Sequence, residues 1–79
     1  MSIKDFVLDY LIERGADVSE SNYEEFDFVK SGVIDSFEVM AFMLEIQEAY
    51  GIRLEPEDFI EKELRFTGKL VSYLEQHEG

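Results

Sequence analysis

The sequence predicts an all-α protein: a small four-helix bundle of three main helices and one short one, with a long loop between helices 1 and 2. Three observations predict it. Apolar residues recur at helical spacing in separate stretches, each bounded by a glycine or a capping residue. No stretch alternates with period two for long enough to make a sheet. The 79 residues are 46% apolar, with seven Phe and four Tyr, so a core is available to a single domain spanning 1–79 but not to two.

In chain order, Ile3, Phe6, Val7, Tyr10 and Leu11 fall at i, i+3, i+4, i+7 and i+8. That single stripe predicts a first helix from Ile3 to Arg14, stopped by Gly15. Ala16 to Ile34 has no sustained period. Acids dominate it, and Ser21-Asn22 and Ser31-Gly32 are turn signals. Its Tyr23, Phe26, Phe28, Val29 and Ile34 predict a loop pinned to the core rather than a free linker. A second helix is expected from Ser36 to Tyr50, ending at Gly51. Pro56 suits the first turn of a short helix, with Glu57 and Asp58 at the positive end of its dipole. A last helix follows Thr67 as N-cap. Phe66 is placed to staple onto Val71, and Leu70, Val71 and Leu74 face inward.

Composition excludes several function classes. With no cysteine, the chain has no disulfide, no thiolate metal site and no nucleophilic thiol of its own. Nineteen acids against seven Lys and Arg leave a net charge of −12, which disfavours nucleic acid and anionic membranes and favours basic protein partners. The N-terminal "MSIKDFVLDY" carries Lys4, Asp5 and Asp9 inside its apolar stretch, so it is neither a signal peptide nor a membrane span. A cytoplasmic monomer without membrane insertion is the expectation.

The second helix carries the functional question. Asp35 at N-cap and Glu38 at N3 make a capping-box-like Asp-x-x-Glu, with Ser36 at N1 and its hydroxyl expected to face solvent. Capping alone explains that pattern, with Ser36 as filler. The rest of the helix is harder to explain that way. Val39, Phe42, Met43, Ile46 and Tyr50 form one apolar stripe; Phe37, Met40, Ala41 and Leu44 form another, turned away from it. Either this is a central helix covered on both sides, or the second stripe is an exposed patch awaiting a partner. Two methionines on the helix suit an adaptable contact surface.

Ser36 is not equipped to be a catalytic nucleophile. The only histidine, His77, lies in what reads as a frayed tail, and no Gly-x-Ser-x-Gly is present. If the serine matters chemically, another protein modifies it. A helix N-terminus favours an attached phosphate. Asp35 would repel that phosphate, which favours a tethered, mobile group over a docked one. An EF-hand is excluded by spacing: counted from Asp35, position six is Met40 and position twelve is Ile46, where calcium needs Gly and Glu. No metal site is expected.

The stretch "GVIDSFEVMAFMLEIQEAYGIRLEPEDF" resembles the attachment region of acyl and peptidyl carrier proteins. In that family an Asp-Ser pair opens the second helix of a four-helix bundle. The resemblance covers about residues 3–75. It implies that Ser36, beside Asp35, bears 4′-phosphopantetheine, transferred from coenzyme A by a phosphopantetheinyl transferase with a divalent metal. The arm's thiol would carry an acyl or aminoacyl group as a thioester, which accounts for the missing protein thiol. The chain itself would be no enzyme. It also implies partners, an activating ligase and acyltransferases, whose basic patches meet Asp35, Glu38, Glu45 and Glu48 around an apolar centre of Phe37, Met40 and Leu44. Phe37 replaces the family's usual leucine, and Ala41 stands where fatty-acid-synthesis carriers commonly have an acid. "IDSF" with the later "EDFIEKELRFTGKLV" is more similar to D-alanyl carrier proteins and related stand-alone carriers. The alternative from another class is an acidic helical interaction module that is never modified.

Overall fold

A computed structural model describes residues 2–77, with the backbone alone at Ser36. Four helices follow one another: α1 (Ile3–Glu13), α2 (Ser36–Tyr50), α3 (Pro56–Glu61) and α4 (Thr67–His77). A short 3-10 turn (Tyr23–Glu25) lies in the loop between α1 and α2. No strand is present among the described residues; one isolated antiparallel bridge joins Asp27 to Phe66.

α1 starts where Ser2 accepts the Asp5 N–H at 3.1 Å, and it closes one residue earlier than its apolar stripe suggested. Arg14 serves as C-cap, and Gly15 takes the left-handed φ of +92° that lets the chain turn away. The buried face is Ile3, Val7, Leu8, Tyr10 and Leu11, which is the expected stripe with Leu8 added and Phe6 only half-buried.

The long loop is pinned to the bundle at both ends and in the middle. Ala16, Val18, Phe28 and Ile34 are buried, and Tyr23 and Phe26 pack on the core. Val29 departs from this pattern and is exposed. The middle is held by main-chain bonds to the segment before α4: Phe28 N–H to the Arg65 carbonyl at 3.1 Å and Thr67 N–H to the Phe26 carbonyl at 2.9 Å. Arg65 adds an ion pair to Asp27 at 3.0 Å.

The start of α4 corrects two sequence expectations. Thr67 is the first helical residue rather than the cap, because its hydroxyl is committed elsewhere. It is fully buried and donates to the Phe26 carbonyl at 3.0 Å, so it ties the loop to α4 instead of capping. Phe66 is half-buried and lies outside the hydrophobic core, with the charged groups of Arg65 and Lys69 over its ring at 4.6 and 5.6 Å. Leu70, Val71 and Leu74 are buried as expected. At the other end His77 is the last residue of α4 and not a loose tail. Its ring stacks on Tyr73 at 4.2 Å, with Nδ1 2.8 Å from the Tyr73 carbonyl.

α4 packs against α1 and against the 3-10 turn. Gly68 makes the second contact possible: a Cβ there would lie 2.7 Å from Glu24 Cα and from its carbonyl oxygen. Gly68→Ala is therefore expected to destabilise. Overpacking against main chain costs about 1–3 kcal/mol, only partly offset by the roughly 1 kcal/mol that alanine gains over glycine in a helix. Thermal unfolding should show a melting temperature lower by about 5–10 °C; an unchanged or raised value would mean that α4 sits farther from the turn.

Aromatic rings join the elements across the core. Tyr10 of α1 stacks on Phe42 of α2 at 4.0 Å and 5°. Phe28 from the loop meets Phe42 edge-on at 6.0 Å and Phe59 of α3 at 6.3 Å. Such pairs add about 0.5–1.5 kcal/mol each beyond their buried area. They set where α2 lies and which of its faces remains outside.

Candidate functional site

The start of α2 is held by a buried anchor and a side-chain cap. Ile34 is buried and donates its N–H to the Phe28 carbonyl at 3.3 Å, which anchors the residue two before Ser36. Asp35 takes an extended conformation (φ −86°, ψ −178°), and its Oδ1 accepts the Glu38 N–H at 2.9 Å. That cap is worth about 1 kcal/mol. Ser36 is the first residue of α2, between exposed Asp35 and exposed Phe37. The direction of its hydroxyl lies outside the described part of the structure. At the far end Gly51 closes the helix in the left-handed region (φ +70°).

The reciprocal half of the capping box does not form. Glu38 turns instead to α1, where its Oε2 accepts from Arg14 Nε at 3.2 Å. Arg14 also donates to the Tyr10 carbonyl at 3.2 Å and lays its guanidinium 3.5 Å from the Tyr10 ring centroid. Glu38 thus links α1 to the first turn of α2, through a cation that the local Asp-x-x-Glu pattern cannot reveal.

Burial decides between the two readings of α2. Phe42, Met43 and Ile46 are buried and Val39 and Tyr50 half-buried, so the first stripe faces the core. The second stripe is bare: Phe37 is 85% exposed, Met40 56% and Leu44 61%, with Ala41 exposed beside them. A contiguous run of large apolar side chains left in water marks an interaction surface. Beyond it, toward α3, lies an apolar groove of about 380 Å³ whose lining includes Val39, Met40, Met43, Phe59 and Ile60, together with Val29, Pro56 and Arg65. The contribution of Phe59 and Ile60 went unread in the sequence. The cue was a second large apolar residue, Ile60, on a six-residue helix that can bury only one side. Glu45 and Glu48 sit on the opposite flank of α2, facing α1.

Tyr10 is the one group near this face with a displaced titration. Burial raises its pKa above the ordinary value of 10.0; Arg14 opposes the shift, and Glu45 and Glu38 reinforce it. The raised value means that the native state resists losing this proton more than the unfolded chain does. Stability is accordingly unaffected below the unfolded value and falls as pH rises through and beyond it. Denaturation midpoints compared between about pH 9 and pH 11 should decline, and the decline should be smaller in Tyr10→Phe. Equal declines in both proteins would remove Tyr10 as the cause.

These features define a class before any comparison: a helical scaffold without a thiol that leaves one apolar stripe of α2 in solvent, beside that helix's capped start. Comparison with known proteins agrees. A family model for the phosphopantetheine attachment site matches residues 15–65. A D-alanyl carrier protein of Staphylococcus saprophyticus is 34% identical over 80 residues, covering 96% of this chain and 97% of its own. No solved structure gives a significant match. The chain belongs to the phosphopantetheine-binding carrier proteins, whose prosthetic group is covalently attached 4′-phosphopantetheine.

The residues present fit that group. A hydroxyl-bearing residue opens a helix whose start is fixed by Ile34 and Asp35, and an apolar groove runs along the same helix. When bound, the group supplies the thiol that the chain lacks, for holding cargo as a thioester.

Proposed function

We propose that Ser36 is the attachment residue and that the chain carries an aminoacyl group of the D-alanyl type, handing it between enzymes without catalysing a step itself. The observation that carries this reading is the position of the Asp35-Ser36 pair. It lies inside the matched family region, at the first turn of α2, whose Phe37, Met40 and Leu44 are exposed. Full-length similarity to a D-alanyl carrier supports the cargo class. The absence of cysteine, and a sole histidine committed to the Tyr73 carbonyl, support a non-catalytic role.

In this reading the Ser36 oxygen would attack the pantetheine-bearing phosphorus of coenzyme A on a separate phosphopantetheinyl transferase. The Ser O–P bond would form as the P–O–P bond breaks, adenosine 3′,5′-bisphosphate would leave, and the serine proton would pass to a base of that enzyme. Asp35 keeps the helix start in place, and its charge holds the phosphate away from the protein surface. Val39, Met40, Met43, Phe59 and Ile60 would cover the apolar part of the arm. Phe37, Met40 and Leu44 form the centre of a docking face for the transferase, an activating ligase and an acyltransferase. The acids Asp35, Glu38, Glu45 and Glu48 attract their basic patches. Glu38 is the weakest member of that set, since Arg14 already neutralises it. A single cytoplasmic domain acting as a monomer is part of the same proposal; no helix among the described residues is long and apolar enough to cross a membrane.

The test is intact mass of the purified protein before and after incubation with coenzyme A and a broad-specificity phosphopantetheinyl transferase. A gain of one phosphopantetheine, mapped by peptide fragmentation to Ser36, is the expected result. No gain with several transferases would leave Asp35 as a helix cap and the exposed stripe as a plain protein-binding surface.

A further inference from the structure

The groove between α2 and α3 carries a single charge. Apart from Arg65, every described residue that lines it is apolar, and none offers a side-chain oxygen. Val39, Met40 and Met43 stand three, four and seven residues after Ser36, in register with it on one face of α2. At about 1.5 Å of rise per residue, the groove begins about 5 Å along the helix from the attachment position and continues to about 10 Å. That is within the span of a flexible arm tethered at Ser36.

Arg65 is fixed where it stands. Its carbonyl accepts the Phe28 N–H at 3.1 Å, its Nε donates to Asp27 Oδ2 at 3.0 Å, and its guanidinium carbon lies 4.6 Å from the Phe66 ring centroid. Asp27 is engaged on both oxygens, since its Oδ1 accepts the Val29 and Lys30 N–H groups at 3.0 and 2.8 Å. The cation is also the exposed member of the pair: the Arg65 side chain is 43% exposed and that of Asp27 13%. Asp27 is not among the described residues lining the groove, so the groove meets the cation rather than its counter-ion.

We propose that this groove tells the unloaded arm from the aminoacyl-loaded one, with Arg65 as the discriminating residue. The inference rests on attachment at Ser36 and on cargo of the D-alanyl type. At neutral pH the unloaded arm ends in a neutral thiol, and its methyl and methylene groups gain by lying against Met40, Met43 and Ile60. A D-alanyl thioester ends in an α-ammonium. Inside the groove that cation would lose water, find no side-chain oxygen and face a like charge. The unloaded arm is stowed and the loaded arm is held out in solvent. Met40 lines the groove and also belongs to the bare stripe of α2. Stowing thus covers part of the face on which partners would dock, and loading uncovers it.

The experiment uses the full-length chain with ¹³C-methyl-labelled Met and Ile. A transferase attaches pantetheine, propionyl-pantetheine or D-alanyl-pantetheine from the matching coenzyme A derivatives, with an amide in place of the hydrolysable thioester. Propionyl differs from D-alanyl only in having hydrogen where the ammonium stands. The Met40, Met43 and Ile60 methyl signals should leave their apo positions with the pantetheine and propionyl arms. With D-alanyl they should stay near them, for a stowed-to-free ratio lower by about tenfold or more. Arg65→Gln should narrow the difference between propionyl and D-alanyl by about threefold, the scale of one partly exposed charge pair. Arg65→Lys should preserve it. A succinyl arm, ending in a carboxylate, should move the same methyls and the Arg65 Nε–H signal, which reads the sign of the charge without any variant.

Equal methyl shifts for propionyl and D-alanyl would overturn the discrimination. A difference that persists in full in Arg65→Gln, or a succinyl arm that stays out, would remove Arg65 from it. If every arm attaches at Ser36 but leaves the methyls at their apo positions, the groove is refuted and the carrier reading stands. If no arm attaches, that reading fails and this inference with it. Apo signals that move with protein concentration alone would assign the groove to a second copy of the chain.

Discussion

Ser36→Ala is expected to abolish phosphopantetheine attachment completely while leaving the fold intact. The two effects separate because Asp35, not Ser36, accepts the Glu38 N–H and caps α2. Alanine at the first helical position is at least as good a helix former as serine, so stability should move by less than about 0.5 kcal/mol. Intact mass after incubation with coenzyme A and transferase reads the first effect, and thermal unfolding reads the second. Asp35→Ala is the informative contrast. It keeps the hydroxyl but loses the cap, at a cost of about 1 kcal/mol, so it should still accept the group while melting earlier. Phosphopantetheine appearing on another residue of Ser36→Ala would overturn the assignment.

Phe42→Ala is expected to have the largest effect on stability. Phe42 is fully buried and touches the rings of both Tyr10 and Phe28, so its removal opens a cavity where α1, the loop and α2 meet. Truncating a buried phenylalanine costs about 3–5 kcal/mol. A domain of this size stands near the low end of the usual range, roughly 5 kcal/mol in total. The variant should therefore be largely or wholly unfolded at 37 °C, whereas Phe42→Leu should cost no more than about 1–2 kcal/mol. Urea denaturation of both variants checks this. A Phe42→Ala protein within 1 kcal/mol of wild type would mean that the three elements hold together without their aromatic centre.

The consequence for function is positional. Phe42 and Ile46 face inward on α2, and on a 3.6-residue period that turns Phe37, Met40 and Leu44 outward. Packing on one side of the helix thus sets which apolar stripe is left exposed on the other. Loss of the core contact should blur that exposed stripe before it touches the serine.

Much of this protein is determined locally, and the sequence by itself settles that part. Helix boundaries follow from capping, from the Gly15 and Gly51 stops and from 3.6-residue periodicity, all properties of neighbouring residues. The reading of α2 as two opposed apolar stripes needed only the spacing of its residues, because 79 residues cannot bury a helix on every side. The Asp35-Ser36 pair was visible for the same reason: a cap and its neighbour are adjacent in the chain. Tertiary structure decided whatever depends on partners far apart in sequence. It sent Glu38 to Arg14, 24 positions away, and committed the Thr67 hydroxyl to Phe26, 41 positions away. In each case a side chain able to cap its own helix found a distant partner that the folded chain had already brought within hydrogen-bonding reach. The acidic groove between α1 and α2 has the same origin. The Tyr10–Phe42 stack lays α1 beside α2, so Asp9 and Glu13 line one groove with Glu45 and Glu48. Periodicity specifies which face a helix buries, but only the packing of two helices specifies what their remaining faces jointly present.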